Sequence, residues 1–198
     1  MSQKPSSLAW STRDTVVVAI SAVVFGVLYL TWVQLWLFAQ GLIGPLAMDI
    51  VFGFWFAGST FTAYVVRKPW VALTTAMIAV VTQILLGNAA GAILLLTGLI
   101  QGLGSEAPLA ATRWRRYSLP ILMASGASAA LFSFAYNWIR FDYGSLALGL
   151  VAAMFVIRVV SGMLLGGLLP RFVADRLRST GVFDGLAIEA QSEEPSAV

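Results

Sequence analysis

Residues 69–105 read PWVALTTAMIAVVTQILLGNAAGAILLLTGLIQGLGS, and no side chain among them is charged. A run of this length exceeds an ordinary buried helix. The central Gly87-Asn88-Ala89-Ala90-Gly91 divides it into two apolar halves, each close to the length that crosses a hydrocarbon core. Working outward, Thr15–Met48, Ile50–Val66 and Tyr117–Ile139 are also free of charge. Breaking the chain at Gly, Pro and charge clusters predicts six spans, over 15–38, 46–66, 70–86, 91–112, 118–139 and 145–169. The joining segments AQGLIGP, VRKP, GNAAG, RWRRY and RFDYG are short, so consecutive helices are expected as antiparallel neighbours. The expectation is an all-α integral membrane protein with a six-helix domain over 15–178. A cytoplasmic segment, 1–14, precedes it and a flexible cytoplasmic tail, 179–198, follows it.

Composition agrees with this reading. Of 198 residues, 59% are hydrophobic and 11% charged, with mean hydropathy +0.87; an ordinary soluble domain is roughly 45–50% apolar. No sizeable soluble domain fits beside six spans. The twelve basic residues outnumber nine acidic ones, but they fall in short clusters between apolar runs, which argues against nucleic acid as a partner. In a six-helix arrangement Lys4, Arg13, Arg67, Lys68, Arg113, Arg115, Arg116, Arg171, Arg176 and Arg178 share one side, and Arg140 lies opposite. The positive-inside rule then puts both termini in the cytoplasm. With Lys4 and Arg13 ahead of it, the first apolar run exceeds a signal-peptide core of roughly 7–15 residues and reads as an uncleaved span. The chain has no cysteine and no histidine. Disulfides, thiolate and imidazole metal sites and His-based catalysis are excluded by inventory, and neither a metal nor a cofactor is expected.

Two ionisable residues fall inside the expected spans, Glu106 in the fourth and Arg158 in the sixth. Intramembrane charge points to function. Counting the helical rise from the outer ends puts both about 20 Å deep. Two readings stand side by side: an ion pair joining two helices, or a Glu106 carboxylate offered to a cationic or amino-bearing ligand. Nearer the outer face lie Asp49, Trp55, Gln83, Asn88, Gln101, Tyr136 and Asn137, the amides, carboxylate and aromatic faces that suit a small flat heterocycle. Asn137 also reads as a helix cap. Trp10, Trp32, Trp36, Trp70, Trp114 and Trp138 read as interfacial anchors. Asn88 stands out because it interrupts two spans at membrane depth, where irregular backbone needs protein or ligand partners. Small residues four apart, Ala22 with Gly26, Gly98 with Gly102 and Gly162 with Gly166, mark close helix contacts. The first pair is also a candidate docking surface for another membrane protein. No Gly-rich loop ends in Lys-Ser or Lys-Thr, so an ATP-driven process needs another subunit to bind the nucleotide.

The strings PLAMDIVFGFWF, RKP, LLGNAAG, IQGLGSEA, ATRWRRYSLP, VIRVVSG and STGVFDG, in this order and spacing, resemble the YkoE-type substrate-binding (S) components of energy-coupling factor (ECF) transporters. The resemblance runs from the first helix to about Gly185. It implies a six-helix protein of the bacterial plasma membrane that binds thiamine or its hydroxymethylpyrimidine precursor from outside. It further implies a transmembrane coupling subunit and two ATPase subunits as partners. The match carries ligand contact to Glu106, Asn88 and Trp55, with Gln101, Tyr136, Gln83 and Asp49 beside them. The family commonly has glutamate where this chain has Asp49 and Gln83, proline at Ala89, and Ala-x-x-x-Ala where Ala22 and Gly26 stand. The expected function is therefore a binding subunit and not an enzyme. The rival reading is a stand-alone secondary transporter or channel using Glu106 as a proton or cation site.

Overall fold

The computed structural model describes residues 8–190; the rest of the expected N-terminal segment and tail lies outside the described residues. Helix α1 spans Thr12–Ile43. It opens on a reciprocal cap in which the Ser11 hydroxyl accepts the Asp14 N–H and the Asp14 carboxylate accepts the Ser11 N–H. Its buried stripe runs Val18, Ala22, Gly26, Tyr29, the three- and four-residue steps of one helix face. Ala22 and Gly26 are therefore not an outward docking surface, contrary to expectation. Ala22 is fully buried, and a Cβ at Gly26 would lie 2.8 Å from both the Ala79 carbonyl oxygen and Thr82 Cβ. The small residues let α1 approach α4 (Val71–Leu85).

The second span is broken where a continuous helix is expected. Helix α2 (Leu46–Val51) passes into a 3₁₀ turn over Phe52–Phe56 and resumes as α3 (Ala57–Val66). Gly53 in that turn lies directly against the neighbouring backbone at Ser161, where any Cβ would overlap the carbonyl. Its N–H donates to the Ser161 hydroxyl at 3.0 Å, which in turn donates to the Ile50 carbonyl at 2.8 Å. All ten residues of α3 are buried. Its hydroxyls are returned to backbone, Thr62 to the Gly58 carbonyl at 2.8 Å and Thr60 to the carbonyl of Gly166, so a polar AGSTFT segment survives at the centre of the bundle.

Around α3, the outer helices follow the contact order α1, α4, α5 (Ile93–Ala111), α6 (Leu119–Arg140) and α7 (Leu148–Met163), with α2 closing the ring between α7 and α1. A π turn at Leu164–Leu168 joins α7 to α8 (Leu169–Arg178) in one 31-residue rod. Gly126 of α6 and Gly162 of α7 meet backbone to backbone, the close contact expected from small residues at a helix crossing. Among the described residues five helical segments are long and apolar enough to cross a membrane; α4, where a span over 70–86 is expected, has 15 residues. Large apolar side chains such as Ile20, Phe38, Leu85, Ile139 and Leu148 face outward, as lipid contact requires.

The two ends of the bundle differ in composition. Arg67 and Arg171 lie over the Tyr64 ring, Arg67 also over Tyr117, and Arg13 touches the Gly185 turn, so these cations gather at one end, the basic end. The chain returns to this end after α8. Phe183, Leu186 and Ile188 are buried in the cluster that holds Val18, Phe61 and Val65, and the short helix α9 (Ala187–Ala190) follows. The tail expected from 179 is thus packed through at least Ile188, because its apolar residues cover the underside of α3.

Candidate functional site

At the other end, beside the Gly87–Gly91 turn, lies a cavity of about 320 Å³. Four amides line it: Gln83 from the last turns of α4, Asn88 from the turn, Gln101 from α5 and Asn137 from α6. Tyr29 and Trp36 of α1, Phe52 and Trp55 of the 3₁₀ turn, and Phe141 supply aromatic faces. The interruption after α2 makes this possible. In a 3₁₀ helix residues three apart eclipse, so Phe52 and Trp55 present their rings together, 5.6 Å apart. Trp36 meets Trp55 edge-on at 5.9 Å.

The amides are partly held in place. Asn88 Oδ1 accepts the Ala90 N–H at 2.9 Å, fixing the turn, and Asn88 Nδ2 donates to Gln83 Oε1 at 3.2 Å. Gln101 Nε2 donates to the Ser133 hydroxyl at 3.2 Å, which leaves its carbonyl for a ligand. Arg140 supplies the charged group of the lining, with Nη1 donating to Thr97 Oγ1 at 3.3 Å. Such a site binds a flat ring between aromatic faces and satisfies ring nitrogens and amino groups with amides.

Of the residues singled out from sequence, Trp55, Gln83, Asn88, Gln101 and Asn137 come together on this wall, and Glu106, Asp49 and Tyr136 do not. The Glu106–Arg158 ion pair, one of the two readings of these charges, does not form. Arg158 Nε forms a buried ion pair with Asp49 Oδ1, and its Nη2 donates to the Tyr143 hydroxyl at 2.9 Å. Its guanidinium stacks 4.1 Å from the centroid of Phe52, so the pair sits directly behind the cavity wall.

Glu106 lies at the basic end. Its Oε1 accepts the Trp70 N–H at 2.8 Å and the Trp114 indole N–H at 2.6 Å, and its Oε2 accepts the Leu73 N–H at 3.1 Å. Trp70 and Leu73 are the cap and third residues of α4, the donors that a helix leaves unpaired. Glu106 therefore caps α4 from a distance, and three N–H groups occupy the oxygens that a proton or cation site would need. Beside it, burial first and the Glu106 charge second hold the Tyr117 hydroxyl above its ordinary range, against the lowering influence of Arg67. Tyr136 is under Arg140, 5.8 Å from ring centroid to guanidinium, with its hydroxyl buried and unpartnered.

Trp36 is the residue whose sequence reading changes, from interfacial anchor to cavity wall, and Asn137 lines the cavity where a helix cap was the other reading. Phe52, Phe141 and Arg140 were not singled out. A signal for the first was its place three residues before Trp55 in FGFWF.

A bundle of apolar helices with an amide-and-aromatic cavity at one end defines a membrane-embedded small-molecule binding protein. A family model described as "ABC-type cobalt transport system, permease component" matches residues 13–132. The HMP/thiamine permease protein YkoE of Bacillus subtilis (strain 168) is 39% identical over 180 residues, covering 91% of this chain and 90% of that protein. A solved structure described as an S-component of an ECF transporter superposes with a TM-score of 0.89 at 38% identity, covering 93% of each chain. The chain belongs to this permease family, as a YkoE-type S component of the ECF transporters.

Proposed function

We propose that this chain captures thiamine or its hydroxymethylpyrimidine precursor from the outer side of the membrane and releases it inward with an ATP-driven coupling module. The observation that carries the reading is the cavity, in which four amides converge between Trp36, Trp55 and Phe52. Trp55, Gln83, Asn88 and Gln101 contact the ligand, joined by Trp36 and Asn137. Six crossings with both termini cytoplasmic would put the arginine-rich end inside and the cavity end outside, in agreement with the positive-inside rule. A coupling subunit and two ATPase subunits complete the transporter, as the S-component class implies.

Mass spectrometry of small molecules released from the purified protein tests the ligand. Thiamine or the pyrimidine is expected, and a preparation that binds neither in titration would overturn the assignment. Because the chain has no native cysteine, a cysteine at Ala89 is expected to react with an impermeant reagent from outside intact cells. One at Ser118 is expected to be protected. The reverse pattern would invert the orientation.

A further inference from the structure

We propose that the Arg113-Trp114-Arg115-Arg116 turn between α5 and α6 is a headgroup site for an anionic phospholipid of the leaflet at the basic end. The site is separate from the cavity and does not depend on what the cavity holds.

The cations of the basic end are not alike. Arg171 pairs with Asp175 at 3.4 Å and Arg178 with Glu189 at 3.6 Å, while Arg67 lies over the Tyr64 and Tyr117 rings and Arg176 over Phe172. Arg113, Arg115 and Arg116 are exposed, and none of the three forms an ion pair among the described residues. Glu106, on the helix that leads into the turn, is buried and spends its oxygens on three N–H donors. Three positive charges within four residues are thus left for a counter-ion from outside the chain.

The turn that carries them is fixed. Arg113 and Trp114 both take left-handed backbone, with φ of 54° and 55°. Their N–H groups donate to the carbonyls of Ala110 and Leu109, each at 2.8 Å, the Arg115 N–H donates to Thr112 at 3.2 Å, and the Trp114 indole is tied to Glu106. Binding an anion here orders side chains alone, because the backbone is already in place.

The surroundings select a lipid over a soluble anion. Trp70 is 51% exposed and its ring lies 5.6 Å from that of Trp114, which puts two indoles beside the turn at the depth of headgroups. Leu99, Leu103, Ala107 and Ala111 are exposed at steps of four along α5, an apolar face that ends at the arginines. An acyl chain lying on this face brings its phosphate to the turn. A guanidinium meets a phosphate with two parallel N–H···O bonds. Three of them exceed the charge of one phosphate, so a headgroup with net negative charge is favoured over one that also carries a choline cation.

Native mass spectrometry of the purified full chain in detergent, with equal amounts of phosphatidylglycerol and phosphatidylcholine as probes, tests the site. Phosphatidylglycerol is expected to be retained at least about tenfold over phosphatidylcholine. Combining Arg113→Gln, Arg115→Gln and Arg116→Gln is expected to cut that preference by about fivefold or more. Combining Arg171→Gln, Arg176→Gln and Arg178→Gln removes the same charge from the same end and is expected to keep it within about twofold. Lysine at positions 113, 115 and 116 keeps the charge without the fork; it is expected to lower the preference by a smaller factor, and it provides the test if the glutamine triple does not fold. Inorganic phosphate in excess is expected not to displace the lipid. No preference between the lipids, an equal fall in the two glutamine triples, or displacement by phosphate would overturn the lipid site. So would an unchanged preference in the turn variants, and if these also lost association with the coupling module the turn would belong to a protein partner. The proposed function stands in each case.

Discussion

Glu106 at the basic end and Asp49 at the cavity end are both buried acids in an apolar bundle, and they are stabilised in opposite ways. Glu106 spreads its charge over three N–H donors, two of them backbone amides at the start of α4. Asp49 depends on the guanidinium of Arg158 through one oxygen; its other oxygen and Arg158 Nη1 have no hydrogen-bond partner. The first arrangement completes a helix that lacks a local cap and fixes the RKPW connection. The second holds together two spans, at α2 and α7, and presents a cation to the back of the cavity wall. A buried carboxylate in a membrane bundle is thus not in itself a ligand site. Its role follows from which donors reach it.

The comparison can be tested most severely at Arg158. Arg158→Met removes the counter-ion of a fully buried carboxylate, which costs about 3–5 kcal/mol, and Asp49→Asn combined with it is expected to recover much of the loss. Melting temperature in detergent measures this, and a single variant as stable as the parent would mean the pair contributes nothing. Next in size, Glu106→Gln turns one acceptor oxygen into an NH₂ facing N–H donors, for about 1–3 kcal/mol of stability. Ligand affinity per folded molecule should stay the same; a selective loss of affinity would return Glu106 to the site. At the cavity, Gln101→Leu removes a ligand-facing carbonyl and should weaken binding by about 1 kcal/mol, close to a fivefold change in Kd by calorimetry. An unchanged Kd would take Gln101 off the ligand. Smallest of all, Tyr136→Phe deletes an unpartnered hydroxyl outside the cavity, and Kd should stay within about twofold. A larger loss would extend the site across α6.

The helical membrane architecture was legible because length and uninterrupted apolarity leave few alternatives. Five cavity residues were legible: Gln83 and Asn88 because they border an uncharged turn between two spans, and Trp55, Gln101 and Asn137 because they are polar or aromatic side chains within apolar spans. The break at Phe52–Phe56 was not, since FGFWF is as apolar as the helix it interrupts; the cause is the approach of Gly53 to Ser161, a contact 108 residues away in sequence. Depth counting failed for Arg158 because distance along its own helix does not say which neighbouring groups reach it; its partners come from α2 and from Tyr143. The role of Glu106 had a sequence trace. Helix α4 begins at Trp70-Val71 with no Ser, Thr, Asp or Asn at its cap, and Trp70 takes a left-handed φ of 66°. A helix start without its own cap requires an acceptor from elsewhere. Trp36 illustrates a limit of composition, since a tryptophan near a helix end has the same local sequence whether it anchors in headgroups or lines a cavity.

The π turn at Leu164–Leu168 acts as a phase adjuster for the α7–α8 rod. From Arg158 onward the buried positions include Arg158, Gly162, Gly166, Pro170 and Ala174, at steps of four, with Ser161 and Gly167 beside them. Each such step overshoots a 3.6-residue turn by about 40°, so four steps in a regular helix would swing the stripe about 160° around the axis. The wider turn absorbs part of that drift, and the Gly166 carbonyl inside it accepts the Thr60 hydroxyl from α3. Losing one residue between Arg158 and Asp175, inside the turn or beside it, would turn either Arg158 away from Asp49 or Asp175 away from Tyr64, whose hydroxyl it accepts at 2.7 Å.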